Sequence, residues 1–144
     1  MRAPLRLWLR FIGIEFWMVG LVPFQIGFII GAQAWTSATG LLGLVTVALL
    51  TSSSFVLNHL CDLETDRRNP RKAFSLLVRG DLTPPVGWAL FGALQLATLA
   101  LAALAGRDFL LCLLGLTAIS LAYNIAPLRL KEWPGLDIAA NGAS

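Results

Sequence analysis

The chain has 144 residues, 57% of them apolar and 13% charged, with a mean hydropathy of +0.75. A water-soluble domain carries roughly 45–50% apolar and about 25% charged residues. That balance excludes a soluble enzyme, a nucleic-acid-binding domain and a disordered chain. The net charge of +3 comes from charges that are unevenly spread: no Asp, Glu, Lys or Arg occurs in residues 16–61, 82–106 or 109–128. About 20 apolar residues cross a bilayer, so the first run accommodates two spans and each of the others one.

In chain order, the first span is expected over residues 11–31. Ala32-Gln33-Ala34 has the form of a leader-peptide cleavage site, but the preceding apolar stretch is about twenty residues long and holds Glu15, Pro23 and Gln25, so a retained span is expected. A short turn over residues 37–40 leads to span two at 41–60. Span three at 86–105 follows the Pro84-Pro85 punctuation, and span four covers 109–126. A polar tail begins at Pro127, and Ile138-Ala139-Ala140 reads as the start of a further apolar segment. The expected fold is an all-α polytopic membrane bundle, one domain over residues 1–144, with four transmembrane helices plus the start of a fifth.

Basic residues fix the expected orientation, because Lys and Arg stay on the cytoplasmic side of short loops. Arg2, Arg6 and Arg10 precede span one; Arg67, Arg68, Arg71, Lys72 and Arg79 separate spans two and three; Arg129 and Lys131 follow span four. Only Arg107 has the opposite parity, which places the N-terminus and the middle loop in the cytoplasm. Trp8, Trp17, Trp35, Trp88 and Trp133 lie near span ends, as an interfacial belt requires. Gly27 and Gly31 have the GxxxG spacing that lets helices approach closely. Cys61 and Cys112 lie at different levels and are not expected to pair, and with the lone His59 they make no zinc ligand set.

The informative segment runs from Asn58 to Lys72. If span two continues as a helix past the membrane, Asn58, Asp62 and Asp66 recur every four residues on one face. Hard oxygen ligands in that array suit Mg²⁺, which is usually held by one or two carboxylates with waters and substrate phosphates. Pro70 is expected to end the helix. Arg67, Arg71 and Lys72 follow within one or two turns, so metal-holding oxygens stand beside bases able to hold phosphates. Asn58 stands at the end of an apolar span, where a polar residue faces the bundle interior rather than lipid. Glu64 is off the stripe and expected to be solvated, while His59 and Cys61 are expected to be neighbours without a chemical role. At the same end, Tyr123 offers a hydroxyl and a ring, and Arg129 and Lys131 add phosphate contacts.

These two segments resemble motifs of the UbiA superfamily of intramembrane prenyltransferases. Asn-x-x-x-Asp-x-x-x-Asp followed by Arg-x-Asn-Pro-Arg-Lys, then Gly80 and Leu82-Thr83, is similar to the first aspartate-rich motif of that family. Tyr123 through Lys131 resembles its Tyr-Ser-x-Pro-Pro-x-Arg-x-Lys segment. The resemblance implies nine helices around a central cavity, and Mg²⁺-dependent transfer of a prenyl group from an isoprenyl diphosphate to a lipophilic acceptor within the membrane. It implies that Asn58, Asp62 and Asp66 belong to the Mg²⁺-diphosphate motif, with Arg67, Arg71 and Lys72 as its basic flank and Tyr123 and Lys131 from the second segment. The sequence departs from the family pattern at His59, where an Asp is common, and at Asn124 and Ala126, where Ser and Pro are common. Nothing after Lys131 supplies the family's second aspartate motif, so the chain is expected to be the N-terminal half of such an enzyme.

Two other classes are expected to fit less well. The CDP-alcohol phosphotransferases also space aspartates by four but need Gly after the first, and here Leu63 follows Asp62. A small four-helix dimeric transporter would use Glu15, a carboxylate about one turn into span one. A truncated chain without activity is the third expectation, since half a cavity leaves polar groups facing lipid unless a second half or a second copy covers them. The acceptor remains open among a quinone-ring precursor, a tetrapyrrole, a lipid glycerol and a carotenoid, with a faint lean toward the last.

Overall fold

The computed structural model describes residues 3–32, 37–133 and 135. Arg2, Trp35 and the expected start of a fifth span at residues 138–140 lie outside the described residues, as does most of the Ala32-Gln33-Ala34 triplet. Every regular element among the described residues is helical.

The N-terminal segment with the first span is not one continuous helix from residue 11. It divides into α1 (Leu5–Phe11), a 3₁₀ turn (Ile14–Phe16) and α2 (Trp17–Ala32). Gly13 makes the break at φ +70, and a Cβ there would stand 2.5 Å from the Phe55 ring. Both the left-handed backbone and the close approach therefore require glycine. α2 tolerates Pro23 in its interior.

Ser37 caps α3 (Ala38–Cys61) by accepting a hydrogen bond from the Gly40 N–H at 3.0 Å. α6 (Pro84–Ala105) starts on its two prolines, where a missing N–H costs nothing. A single glycine, Gly106 at φ +136, turns the chain into α7 (Arg107–Asn124). Among the described residues three helices are long and apolar enough to cross a membrane: Ile14–Gly31, Ala38–Cys61 and Pro84–Ala105. α7 is the fourth long helix and stands where span four is expected, with Arg107, Asp108 and Asn124 at its polar ends. The chain is an integral membrane protein with an all-α fold.

α3 is the central helix. Of its apolar window 56% is buried, against none of α2's and 11% of α6's, and it packs against α2, α6 and α7. Close approach does not occur at Gly27 or Gly31, which have nothing within 4 Å, so their GxxxG spacing does not mark a helix contact within this bundle. It occurs at Gly40 under Phe28, at Gly43 under Phe24 and at Gly87 under Leu60.

Three consecutive serines of α3 point to three neighbours. Trp17 Nε1 donates to Ser52 Oγ at 2.9 Å, so this tryptophan is tied inward rather than lying only in a belt. Ser53 Oγ bonds to Gln95 Oε1 at 2.9 Å, and Gln95 Nε2 donates to Thr117 Oγ1 at 2.6 Å. Ser120 Oγ bonds to Ser54 Oγ at 3.0 Å. In an apolar medium a polar side chain needs such a partner, and interhelical bonds of this kind each contribute about 0.6 kcal/mol. These side chains are satisfied inside the bundle rather than presented to lipid.

Between α3 and α6 the chain makes two one-turn helices, α4 (Leu63–Asp66) and α5 (Leu76–Arg79), with a 3₁₀ turn (Pro70–Lys72) between them. Gly80 ends α5 at φ +77. Phe11, Val56, Leu60, Leu76, Leu77 and Leu82 form one buried cluster, which fastens α1 and this connection onto the end of α3. The candidate site lies beside that cluster.

Candidate functional site

The helix that carries the acidic residues does not run to Pro70. α3 ends at Cys61, and Asp62 caps it at φ −96, ψ 2. The spacing nevertheless survives the break, because Asp62 N–H donates to the Asn58 carbonyl at 2.9 Å and Asp66 N–H to the Asp62 carbonyl at 2.7 Å. The helical run that carries the acidic residues ends after Asp66. A residue before proline is pushed out of the α region, and Asn69 is extended at φ −102, ψ 110. Its side chain also accepts from the Arg71 N–H at 3.0 Å, a local bond that competes with the helix.

The other half of the site comes from the end of α7. Asn124, in its last turn, is buried and donates from Nδ2 to the Ser120 carbonyl at 2.9 Å, which aims its Oδ1 outward from the helix end. The chain then reverses through Arg129, in the left-handed region at φ +33, into a 3₁₀ turn (Leu130–Glu132). This returns Lys131 to α3. Its Nζ donates to Asp62 Oδ1 at 2.6 Å, Asn58 Oδ1 at 3.0 Å and Asn124 Oδ1 at 3.1 Å. Arg129 Nη2 donates to the same Asp62 oxygen at 3.0 Å, while its Nη1 pairs with Glu132 at 3.1 Å.

Asp66 belongs to a different neighbourhood. Its Oδ2 lies 3.7 Å from Lys72 Nζ and 3.9 Å from His59 Nδ1, and His59 stacks on Phe11 with ring centroids 5.1 Å apart. The expected face of three oxygens thus divides: Asn58 and Asp62 share Lys131, and Asp66 turns to Lys72. The expected basic flank divides as well. Lys72 reaches Asp66, Arg67 pairs with the solvated Glu64 at 3.6 Å, and Arg71 is exposed on the 3₁₀ turn. Tyr123 stands one residue before Asn124, partly buried. Glu15 is half exposed and pairs with Arg10 at 3.5 Å, at the end of the bundle rather than within it.

Asn124 is the residue that sequence reasoning passed over, noted only as a departure from Ser. The signal was present: like Asn58, it is an amide in the last turn of an apolar helix, where a polar side chain faces inward.

Among the described residues no three His, Cys, Asp or Glu side chains converge as a metal cluster. What converges is one carboxylate and two amide oxygens, already gathered about a single cation, the Lys131 ammonium. Mg²⁺ accepts such hard oxygen donors and leaves its other positions to water and phosphate. Asn58, Asp62 and Asn124 fit an open half-site of that kind, with Asp66 one turn further on as a second carboxylate.

Comparison with curated proteins found no match. Two solved structures of a UbiA homolog from Archaeoglobus fulgidus, one bound to DMAPP and Mg²⁺ and the other to GPP and Mg²⁺, are 29% identical to this chain. They superpose with TM-scores of 0.84 and 0.85 over 94% and 95% of it. The chain spans about half the length of those proteins, 49% in each case. A model of the UbiA prenyltransferase family matches residues 20–144. With most of its length matched in sequence and nearly all of it in fold, the chain belongs to the UbiA prenyltransferase family.

Proposed function

We propose that this chain carries the diphosphate-binding half of an intramembrane prenyltransferase, which moves a prenyl group from an isoprenyl diphosphate to a lipophilic acceptor. The observation that carries the reading is the convergence of Asp62 with Asn58 and Asn124, beside Arg129 and Lys131, at the end of an apolar bundle. The A. fulgidus homolog, bound to prenyl diphosphates and Mg²⁺, supports it.

In this reading Asn58 and Asp62 hold Mg²⁺, with Asp66 as the second carboxylate. When bound, the metal supplies neutralisation of the charge that develops on the departing diphosphate. Arg129 and Lys131 hold the diphosphate oxygens as forked and point donors respectively, and Arg67, Arg71 and Lys72 raise the positive potential around its path. As the C–O bond to the allylic carbon breaks, these cations hold the leaving group. The apolar faces of the helices keep water from the prenyl carbon. Tyr123 offers its ring or hydroxyl to the positive charge on that carbon. The basic residues support a cytoplasmic position for this end of the bundle.

The test is equilibrium binding of geranyl diphosphate to the purified chain in detergent, with and without Mg²⁺, alongside Asp62→Asn/Asp66→Asn. Binding that requires both the metal and the aspartates supports the reading. Binding indifferent to both overturns it.

A further inference from the structure

Three side-chain oxygens that point at one position would, in a metal-loaded site, surround the metal. Here they surround an amine. Lys131 Nζ takes Asp62, Asn58 and Asn124 as acceptors at 2.6, 3.0 and 3.1 Å, and its side chain is only 14% exposed. Asp62 is also engaged by Arg129, so its single negative charge faces two positive ones. A bare divalent cation approaching Asp62 meets those two charges at close range and is repelled. A diphosphate arriving with the cation reverses the balance, because it brings negative charge to both bases.

The segment that carries Lys131 is built to give way. It is a 3₁₀ turn that follows Arg129 at φ +33, a backbone region a non-glycine residue occupies at a cost. On either side of it Leu128 and Trp133 are 56% and 61% exposed and pack little, while Leu130 within the turn is partly buried. Beside a backbone bond from the Arg129 N–H to the Ile125 carbonyl at 3.0 Å, its side-chain anchors are the polar contacts to Asp62, Asn58 and Asn124 and the turn's own Arg129–Glu132 pair. Those contacts are the ones that metal and diphosphate would replace.

We propose that the Lys131 ammonium is an exchangeable occupant of the metal site. It holds the Asn58–Asp62–Asn124 oxygens together in the unloaded protein, leaves them for the diphosphate, and so makes uptake of metal depend on diphosphate. Asn124, pinned by its own bond to Ser120, is the positioning residue that completes the cradle. The inference rests on the reading of Asn58 and Asp62 as metal oxygens, and the experiment separates the two.

Mn²⁺ retained by the detergent-solubilised chain is measured by equilibrium dialysis, with and without inorganic diphosphate, for the native chain, Lys131→Met and Asp62→Asn. The native chain is expected to bind Mn²⁺ about ten-fold more tightly when diphosphate is present. Lys131→Met is expected to gain about ten-fold in affinity for Mn²⁺ alone and to respond little to diphosphate. Unchanged affinity in Lys131→Met, with diphosphate-dependent retention lost in Asp62→Asn, overturns the exchange while the metal reading stands. Retention unaffected by Asp62→Asn in every arm overturns both.

A measurement on the native chain does not depend on a variant's folding. Lys72 and Lys131 are the only lysines of the sequence, and reductive methylation followed by peptide mass reads each of them. Mg²⁺ added together with inorganic diphosphate is expected to change the Lys131 rate several-fold as the amine leaves the three oxygens, while the same Mg²⁺ without diphosphate leaves it unaltered. A Lys131 rate that is the same with Mg²⁺ and diphosphate as without them, or that changes equally with Mg²⁺ alone, overturns the exchange.

Discussion

Asp62 and Asp66 stand on consecutive turns and each carboxylate meets cationic side chains, yet their partners come from different distances along the chain. Asp62 is held by Arg129 and Lys131, 67 and 69 residues further on, from beyond α7. Asp66 is held by His59 and Lys72, from its own turn of the chain. The first set of contacts ties two ends of the bundle together and assembles a site. The second folds a connection and seats it on the cluster around Phe11 and Leu76. One charge organises the tertiary structure at its end of the membrane and the other organises a loop.

The sharpest way to break that comparison is to neutralise each carboxylate in turn. Asp62→Asn removes the negative charge that two largely buried bases share, a change that costs several kcal/mol where charges are left unpaired. Mg²⁺-dependent binding of geranyl diphosphate is expected to weaken by about a hundred-fold or more. Asp66→Asn is expected to weaken it by about ten-fold, while amide hydrogen exchange over residues 62–82 quickens as the loop loosens. Calorimetric titration and exchange measured on the same two variants decide the matter. Equal losses of binding, with exchange unchanged in Asp66→Asn, would place both carboxylates in a single site.

Lys72 tests the local neighbourhood from its other side. Its amine is one-third exposed and its contact with Asp66 is 3.7 Å, so it is the weaker partner of a pair that Asp66 itself dominates. Lys72→Gln is expected to quicken exchange over the same loop and to weaken diphosphate binding about three-fold. A loss as large as that of Asp62→Asn would show Lys72 reaching the diphosphate directly and would merge the two neighbourhoods.

Much of this arrangement was legible before the structure. Charge-free runs marked the long helices, because burying a charge in lipid is costly enough to leave a mark in composition. The spacing of four linked Asn58, Asp62 and Asp66, and that periodicity survived the end of α3 because the backbone bonds continue through Asp62. The break at Gly13 was not legible, since it depends on Phe55, forty-two residues away, pressing on the position. Nor was the division of the acidic face, which depends on where the chain turns back after Asn124. Gly27 and Gly31 had the right spacing and no neighbour, whereas Gly43, without the pattern, lies under Phe24. Spacing reports which residues share a face; only packing reports what stands opposite that face.

The smallest expected effect concerns the residue that proximity in sequence assigned to the site and the structure assigns to the surface. Arg67 follows Asp66 directly, yet its guanidinium pairs with Glu64 at 3.6 Å, and both side chains are more than half exposed. Exposed ion pairs of this kind contribute between about 0 and 1 kcal/mol. The charge of Arg67 acts on a diphosphate only through the field around the site, which salt screens. Arg67→Gln is therefore expected to change geranyl diphosphate binding by about two-fold at low ionic strength, with the difference fading as salt is added. A loss of about ten-fold that persists at high salt would mean that Arg67 leaves Glu64 and grips the diphosphate, and the division between a site at Asp62 and a loop at Asp66 would not hold for the loaded protein.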